Sequence, residues 1–501
     1  MLLREAVERT LAQTGDAIMG ILVQRRTQLR TILAWVALLA VALGLRVGLA
    51  IYSPSIFHPD EILQSLEPAH RLAYGYGVIS WEWRLGVRSW VFPAFLAGVM
   101  RATDWAGSGS AGYINGTIVV LSLISLSTVW FGYAWAKRVS GTPAAMIAAG
   151  ACSIYFGLVY FAPKALYEVV ATHLLLPGLY LGVYGDRIGE KKRMFFAGLL
   201  CGLAASLRIQ LIPAVTFAAV YFCYPRWRQR IPIMFAGLSL PLLAFGLVDW
   251  FTWTYPWQSF IRYFQVNLME GRSLIYGVEP WYWYLRILLT LLGPAVLFLW
   301  TGAQRSPFLA IFSLIILCSH LPIAHKELRF IYPILPLALT LASIGIVEFS
   351  SGMRSLTASA AYPKATVAIG LIFFILSSSL LVIRQSKYWC QMRWGDFAFD
   401  RLSRDSRLCG VGLYQAPWWQ SGGYAHLHRN VPIVQVLDAD ELIKDVPTFN
   451  AIITPVATSA MPFGFKQTGC WNGVCLLQRA GTCTTPPTDD ELNSYLKKGG
   501  Y

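Results

Sequence analysis

The feature that most constrains this chain is a series of apolar segments, most of them long enough to cross a lipid bilayer. A transmembrane helix needs about 20 consecutive, mostly apolar residues. Hydrophobic residue types make up 56% of the 501 residues and charged types only 13%. A soluble domain of this size does not have such a composition. The sequence therefore predicts an α-helical polytopic membrane protein.

We predict about eleven membrane-spanning helices from the length of the apolar runs. Lys and Arg in the short loops assign the two sides, because these residues are enriched on the cytoplasmic face. Residues 1–31 are then a cytoplasmic N-terminal segment, and the C-terminus lies on the outer face. The predicted spans are residues 32–52, 113–135, 143–162 and 166–184, two short spans within 194–224 that turn at Arg208, and 231–251, 284–302, 308–323, 330–348 and 366–384.

The net charge of +15 has the same explanation. The basic residues lie mostly in loops between spans, as the positive-inside rule requires. No stretch resembles a nucleic-acid-binding motif, so we expect no nucleic-acid partner.

The first outer loop, residues 53–112, carries many ionisable side chains directly beside a predicted span. Ionisable groups at such a place indicate a functional site, and neighbouring carboxylates and histidines are suited to acid–base chemistry. The apolar stretch 87–100 is too short to cross, so we expect a helix along the membrane surface. The polar and aromatic residues of interest are His58, Asp60, Glu61, Glu67, His70, Trp81, Glu82, Trp83, Arg88 and Trp90.

A second, basic cluster lies in the predicted outer turn between residues 323 and 330. It contains His325, Lys326 and Arg329, and Arg208 is predicted on the same face. An acidic and a basic cluster side by side suit group transfer from a phosphate-linked donor to a hydroxyl. A carboxylate would take the proton, and cations would hold the phosphate as it leaves. The membrane setting favours a donor with a lipid tail.

Residues 385–501 differ from the rest, because their apolar runs shorten to strand length between Gly, Pro, Asp and Asn residues. This pattern predicts a small extramembrane α/β domain. Its five cysteines predict one or two disulfides in an oxidising compartment. They are Cys390, Cys409, Cys470, Cys475 and Cys483, whereas Cys152, Cys201, Cys223 and Cys318 fall in spans and are expected to be buried.

Two motifs make the sequence similar to the family 22 glycosyltransferases, the lipid-linked mannosyltransferases that include the GPI mannosyltransferases. The first is His58-Pro59-Asp60-Glu61 followed by Ser80-Trp81-Glu82-Trp83 and Arg88-Ser89, with Ser80 where the family has Thr. The second is His325-Lys326-Glu327-x-Arg329-Phe330, which resembles the family block HKExRF. Together the two motifs are fairly specific. The resemblance extends over roughly residues 30–480 and includes a weaker echo at Ser206-Leu207-Arg208.

The resemblance implies a GT-C fold in residues 32–384, with the active site on the lumenal or periplasmic face of the endoplasmic reticulum membrane or a bacterial inner membrane. It implies an inverting transfer of mannose from a dolichyl- or polyprenyl-phosphate donor to a glycolipid or lipid-linked glycan. The donor is a co-substrate, and no cofactor or metal is expected. Carried over by position, Asp60 is the general base and Glu61 orients the acceptor. The donor phosphate would bind His325, Lys326, Arg329 and Arg208, and the substrates would bind His58, Trp81, Glu82, Trp83 and Arg88.

Several alternatives remain open at this stage. The chain could instead be a transporter or flippase of a lipid-linked or anionic solute, a bacterial relative with another acceptor, or an enzyme using another polyprenyl-phosphate sugar. Asp60 could cap the helix that follows it, and Glu82 could pair structurally with Arg84 or Arg88. His173 and His320 are expected to be satisfied core histidines.

Overall fold

Long apolar helices account for most of the computed structural model, which describes residues 29, 32–185, 188–354, 362–455, 463–484 and 490–500. Shorter helices form the first outer loop and flank a sheet near the C-terminus. The helices up to residue 389 are α1 (Ile32–Tyr52), α2 (Glu67–Tyr74), α3 (Trp81–Arg84), α4 (Val91–Thr103), α5 (Ala111–Ser125), α6 (Ser127–Ile154), α7 (Phe156–Phe161), α8 (Tyr167–Tyr184), α9 (Glu190–Leu207), α10 (Ile212–Cys223), α11 (Trp227–Thr252), α12 (Gln258–Phe264), α13 (Trp283–Leu292), α14 (Leu299–Arg305), α15 (Pro307–His320), α16 (Ile334–Arg354) and α17 (Tyr362–Trp389).

The described helices confirm a multi-pass membrane protein. Six helical segments are long and apolar enough to cross a bilayer by themselves: Ile32–Tyr52, Ala111–Ile154, Trp227–Thr252, Trp283–Arg305, Ile334–Ser351 and Lys364–Trp389. The segment Ala111–Ile154 is broken at Ser140 and Gly141, so it supplies two of the predicted spans. Helices α8, α9, α10 and α15 coincide with the remaining predicted spans but are shorter or more polar. The expected number of about eleven spans thus remains an approximate count.

The long apolar stretch within residues 194–224 folds as two helices, as the position of Arg208 suggested. Helix α9 ends at Leu207, Arg208 has an extended backbone, and a single turn over Ile209–Leu211 leads into α10. Pro213 lies in the first turn of α10, where a proline is tolerated because that N–H has no partner within the helix. The break places Arg208 between the C-terminal end of α9 and the N-terminal end of α10.

The predicted surface helix of the first outer loop is also present, slightly shifted, as α4. Its buried side chains Phe92, Leu96 and Met100 recur every four residues, which is the spacing of one helix face. That face packs against α2 and α5. The rest of α4 stays at the surface, as expected for a helix too short to cross a bilayer.

The C-terminal segment forms the predicted small α/β domain around a five-stranded sheet. The strands are β1 (Val411–Tyr414), β2 (Ile433–Val436), β3 (Ala451–Thr454), β4 (Lys466–Trp471) and β5 (Val474–Gln478), and the helices are α18 (Arg393–Ser403), α19 (Gly423–Leu427), α20 (Ala439–Asp445) and α21 (Asp490–Lys498). The strand order in the sheet is β2-β1-β3-β5-β4, with β1 parallel to both neighbours and β5 antiparallel to β3 and β4.

Two disulfides, Cys409–Cys483 and Cys470–Cys475, staple this domain and confirm the prediction of one or two. Cys390 remains a free thiol. The expectation that Cys318 is buried is wrong, because its side chain is exposed. Helix α15 buries the stripe formed by Phe308, Phe312 and Ile316, and a residue two positions beyond Ile316 points to nearly the opposite side of the helix.

The C-terminal domain is docked on the first outer loop through buried polar contacts. The Glu67 carboxylate accepts hydrogen bonds from the backbone N–H groups of Ala425 (2.7 Å) and Val78 (2.5 Å). The Tyr113 hydroxyl donates to the Ala425 carbonyl at 2.5 Å. The Asn493 side chain accepts from Ile79 N–H at 2.8 Å. These contacts hold residues 57–90 between the membrane helices and the sheet.

Candidate active site

A cavity of about 720 Å³ lies where the first outer loop, the membrane helices and the C-terminal domain meet. Its volume falls within the range of roughly 300–1,000 Å³ that is usual for small-molecule sites. The cavity brings together nine of the eleven predicted site residues: His58, Asp60, Trp81, Glu82, Arg88, Arg208, His325, Lys326 and Arg329.

The Asp60 carboxylate is held in this cavity by side chains and is 21% exposed. It accepts hydrogen bonds from Arg329 Nη2 and from Gln64 Nε2. His58 Nδ1 lies 3.5 Å from Asp60 Oδ1. Asp60 stands at the start of a helical turn over Glu61–Leu66 but makes no capping hydrogen bond with its side chain. The Asp60 side chain therefore does not cap this helix, so the helix-cap alternative is wrong.

The Arg329 guanidinium is almost fully buried and faces three carboxylates. Besides Asp60, its Nε donates to Glu327 Oε2 at 2.7 Å, and its Nη1 lies 3.6 Å from Glu168 Oε1. Glu327 is extended and precedes the helical turn Leu328–Ile331, which places its carboxylate beside the guanidinium of Arg329. Arg329 lines the cavity as predicted, but these contacts make it a positioning residue for Asp60.

The electrostatic surroundings keep two of these carboxylates ionised. Burial by itself would raise the pKa of Asp60, but Arg329 and His58 outweigh burial and hold this pKa well below its usual value. Burial likewise opposes ionisation of Glu327, and Arg329, His58 and His325 overcome it, so the pKa of Glu327 is also lowered. Both groups are therefore carboxylates at neutral pH.

Two histidines bracket Glu327. His58 Nε2 lies 3.1 Å from Glu327 Oε2, and His325 Nε2 lies 2.9 Å from Glu327 Oε1. His325 Nδ1 also contacts the Gly277 carbonyl oxygen at 2.9 Å. Burial lowers the pKa of His325, but the bonds to Glu327 and Gly277 outweigh it, so its pKa is raised overall. Glu327 thus links the two predicted clusters, because it contacts His58 of the first and His325 of the second.

Sequence reasoning gave no role to Glu327 or Glu168, although both belong to the site. Glu327 lies within the second motif, and the predicted donor-binding groups are its neighbours His325, Lys326 and Arg329. Glu168 lies in the first turn of the apolar helix α8 and is 1% exposed. An acidic residue inside an apolar span is itself an indication of function, and that observation would have found it.

Arg208 provides a cation with unused hydrogen-bonding capacity. Its Nη1 lies 3.0 Å from Glu168 Oε1. Among the described residues, no hydrogen-bond partner lies within reach of its buried Nε and Nη2 atoms. Lys326 also lines the cavity, but its ammonium group donates to the Ile323 carbonyl, and burial lowers its pKa. Arg208 is therefore the better placed of the two to receive an anion.

The two histidines expected to be core residues behave differently. His173 is buried, and its Nε2 lies 3.3 Å from the Tyr332 hydroxyl, as expected for a satisfied core histidine. His320 is equally buried and pairs its Nδ1 with the Ile316 carbonyl at 2.8 Å. Its Nε2, however, is without a hydrogen-bond partner in the described part of the chain, and the residue lines the cavity. His320 thus belongs to the site.

Glu82 and Arg88 form a buried ion pair in the cavity wall. Arg88 donates to Glu82 Oε1 from Nη2 at 2.7 Å and from Nε at 3.1 Å. The guanidinium also lies 5.5 Å from the ring centres of both Tyr167 and Tyr263. The structural pairing of Glu82 with Arg88 is therefore confirmed, and both residues line the cavity.

Glu61 and Trp83 lie outside the cavity, in contrast to their predicted roles. Glu61 lines a separate cavity of about 220 Å³, where its Oε2 lies 3.4 Å from Lys164 Nζ. Burial raises the pKa of Glu61 there. Trp83 is buried against Trp90, with ring centres 4.4 Å apart. Neighbours in a helix differ in direction by about 100°. Proximity to Asp60 and Trp81 in sequence therefore did not place these side chains on the same face.

Comparisons with known proteins agree with this geometry. A family model described as the Alg9-like mannosyltransferase family matches residues 35–409. GPI mannosyltransferase 3 of Yarrowia lipolytica is 26% identical over 409 residues, which cover 79% of this chain and 76% of that protein. Mannosyltransferase APTG1 of Arabidopsis thaliana is 25% identical over 426 residues, with coverage of 79% and 76%.

The solved structures confirm the expected GT-C fold. ArnT from Cupriavidus metallidurans, bound to undecaprenyl phosphate, superposes with a TM-score of 0.59 at 13% identity. The superposition covers 89% of this chain and 96% of ArnT. The family match favours the transferase over the transporter or flippase alternative. The match over residues 35–409 establishes that the chain belongs to the Alg9-like mannosyltransferase family.

Proposed function

We propose that this membrane protein transfers mannose from a dolichyl- or polyprenyl-phosphate donor to a hydroxyl group of a lipid-linked, GPI-like glycan. The observation that supports this most directly is an ionised carboxylate, Asp60, in the same cavity as the partly unpaired guanidinium of Arg208. The first group suits a base, and the second suits a phosphate. The relatives named GPI mannosyltransferase 3 support the sugar and the acceptor class.

In the proposed reaction, the acceptor oxygen attacks the anomeric carbon while the bond from that carbon to the phosphate oxygen breaks. The hydroxyl proton passes to Asp60, and the polyprenyl phosphate leaves as an anion that Arg208 stabilises. A carboxylate with a lowered pKa is a weak base toward a resting alcohol. The alcohol becomes acidic only as its new bond forms, so proton transfer comes late. A single displacement inverts the anomeric configuration.

The cationic wall leads us to expect that the donor phosphate needs no metal or other cofactor. Arg208 and Lys326 supply the positive charge. The donor lipid is then a co-substrate that enters from the membrane, beside apolar lining residues such as Ile209, Pro213 and Leu268.

We propose that the active site faces the lumen of the endoplasmic reticulum or the bacterial periplasm. The first outer loop and the disulfide-bonded C-terminal domain pack together, so both lie on one side of the membrane. Disulfides persist in oxidising compartments, and Cys409–Cys483 and Cys470–Cys475 therefore support the outer face.

The test compares the purified wild type with Asp60→Asn, using labelled polyprenyl-phosphate mannose and a panel of lipid-linked acceptors. We expect transfer by the wild type with inversion, and a rate lower by about 10²–10⁴-fold for Asp60→Asn with unchanged donor binding. The matched control is Glu61→Gln, which alters the adjacent carboxylate in the other cavity and should keep most activity. Equal rates for wild type and Asp60→Asn would show that Asp60 is not the base.

A further inference from the structure

The C-terminal domain supplies part of the wall of the catalytic cavity. Three of its residues line the cavity: Met392, Trp418 and Trp419. The two tryptophans lie in a single helical turn, Trp418–Gln420, which follows Pro417 at the end of the loop after β1. The domain is therefore placed to contact a substrate bound at Asp60.

This tryptophan loop is held in one conformation by a buried side chain. Gln435, in β2, accepts a hydrogen bond from Trp418 N–H at 3.0 Å. Its amide nitrogen donates to the carbonyl oxygens of Leu413 at 3.0 Å and Ala416 at 3.1 Å. A single glutamine thus holds the chain that leads into the turn and the first residue of the turn, which pre-organises the surface that the loop presents.

The two neighbouring tryptophans have different surroundings. Trp418 packs against the hydrophobic core of the C-terminal domain. Trp419 remains 40% exposed although it is one of the largest apolar side chains. Its exposed ring is therefore not needed to fill the core, and it adds an aromatic face to the cavity.

We propose that Trp419 stacks against a pyranose ring of the acceptor glycan, one sugar removed from the ring that carries the reacting hydroxyl. This inference rests on the proposed function. The C–H face of a pyranose is apolar, its rim is polar, and an indole matches both with its ring face and its N–H. Trp419 thus gives the C-terminal domain a role in recognising the acceptor.

The composition of the cavity wall favours the acceptor over the donor at this place. The cation with unused donors, Arg208, and the apolar residues Ile209 and Pro213 come from the membrane helices. They suit a phosphate that carries a lipid tail. Trp419 comes from the extramembrane domain and carries no charge, so it suits the neutral, hydroxylated part of the acceptor.

The test measures binding, so that it does not depend on turnover. The full-length Asp60→Asn protein in detergent is titrated with octyl dimannoside and with octyl mannoside, and saturation-transfer NMR follows the bound sugar. The same titrations use the double variants with Trp419→Ala, Trp419→Phe or Trp105→Ala. Trp105 is 85% exposed and lies outside the cavity, so its variant controls for the loss of any surface tryptophan.

We expect Trp419→Ala to raise the Kd for the dimannoside about tenfold, as for truncation of a tryptophan at the centre of an interface. Trp419→Phe should keep most of the affinity, and Trp105→Ala should keep all of it. The Kd for the monomannoside should be the same in every variant, because it lacks the second ring.

An unchanged Kd for the dimannoside in Trp419→Ala would overturn the inference, and so would an equal loss for both glycosides or a lack of dimannoside binding by Asp60→Asn. Transfer by the wild type is measured in parallel. Binding that depends on Trp419 without any mannose transfer would refute the proposed function, and it would overturn the acceptor assignment while still showing that Trp419 contacts a bound sugar ring.

Discussion

Arg329 donates a hydrogen bond to the carboxylate of Asp60, although 269 positions separate the two residues along the chain. Each belongs to a different charged cluster in the sequence, one acidic and one basic. In the folded protein the clusters do not face each other across a substrate but interlock, with Glu327 and His58 between them. Arg329, which the sequence analysis assigns to the donor phosphate, thus contacts and orients the Asp60 carboxylate.

This contact predicts the pH dependence of the reaction. Because the pKa of Asp60 lies well below its usual value, its ionised form persists as the pH falls. Asp60 should therefore cause no loss of kcat/KM between about pH 5 and pH 8. Arg329→Lys keeps the positive charge but loses the planar, bidentate guanidinium, so the pKa of Asp60 should rise and the acidic limb of the profile should move to higher pH. The measurement is the pH profile of kcat/KM for both proteins.

The control for this profile is Arg226→Lys, which alters an exposed ion pair with Glu190 and should leave the profile as in the wild type. An acidic limb at the same pH in wild type and Arg329→Lys would mean that Arg329 does not set the pKa of Asp60.

Arg208→Lys should weaken both donor binding and turnover, because Arg208 is proposed to hold the donor phosphate and to stabilise it as it leaves. Lys retains a charge near Glu168 and so preserves the buried pair, but it loses the two donors that have no partner among the described residues. Loss of a charge-assisted hydrogen bond to phosphate should raise the donor KM by about 10–100-fold. Steady-state kinetics with varied donor and saturating acceptor measure this effect.

A matched arginine for comparison is Arg305, which forms a largely exposed pair with Glu348. Arg305→Lys should leave the donor KM unchanged. If Arg208→Lys alters only the acceptor KM, the phosphate lies elsewhere in the cavity.

Glu67 should make the stability of the docked C-terminal domain depend on pH. Burial raises the pKa of Glu67 from 4.5 to about 7, so the folded state favours the protonated form. Its stabilising contribution is complete below about pH 4.5 and is lost as the pH rises through 7. A shift of this size corresponds to about 3 kcal/mol.

Glu67→Gln removes this titration. The Tm of the variant minus the Tm of the wild type should therefore increase from pH 5 to pH 8, as measured by thermal unfolding in detergent. The neighbouring histidines His70 and His428 are present in both proteins, so their contribution to the pH dependence of stability cancels in the Tm difference. A constant Tm difference across this range would contradict the buried-carboxyl assignment.

Removal of the disulfide between Cys409 and Cys483 should destabilise the C-terminal domain. This bond closes a loop with a sequence separation of 74 residues, and such a cross-link stabilises by about 2–4 kcal/mol, mainly by restricting the unfolded chain. The double variant Cys409→Ser with Cys483→Ser should therefore lower the Tm of the domain. Cys390→Ser, which removes a free thiol, should have little effect, and equal Tm values for the two variants would count against a structural disulfide.

The sequence by itself determined the class of architecture and the residues near the chemistry. Apolar length and loop charge are local properties, so they predicted the spans, the break at Arg208, the surface helix α4 and the extramembrane sheet domain with its disulfides. The two motifs predicted eight residues that do line the cavity, and the break between two short spans predicted a ninth, Arg208. Local patterns also predicted Cys318 as buried and gave Glu61 and Trp83 roles in the site, because they contain no information on which way a side chain points.

Only the tertiary structure decided how the charged groups are paired and which aromatic residues reach the substrate. Glu168 meets Arg208 and Arg329 because α8, the break after α9 and the turn before α16 converge. Trp419 joins the cavity because the sheet domain docks through Glu67 onto the first outer loop. Such contacts depend on the rotation and packing of helices hundreds of residues apart. Successive side chains of a helix point in directions about 100° apart, so one residue can line the cavity while its neighbour in sequence is buried elsewhere.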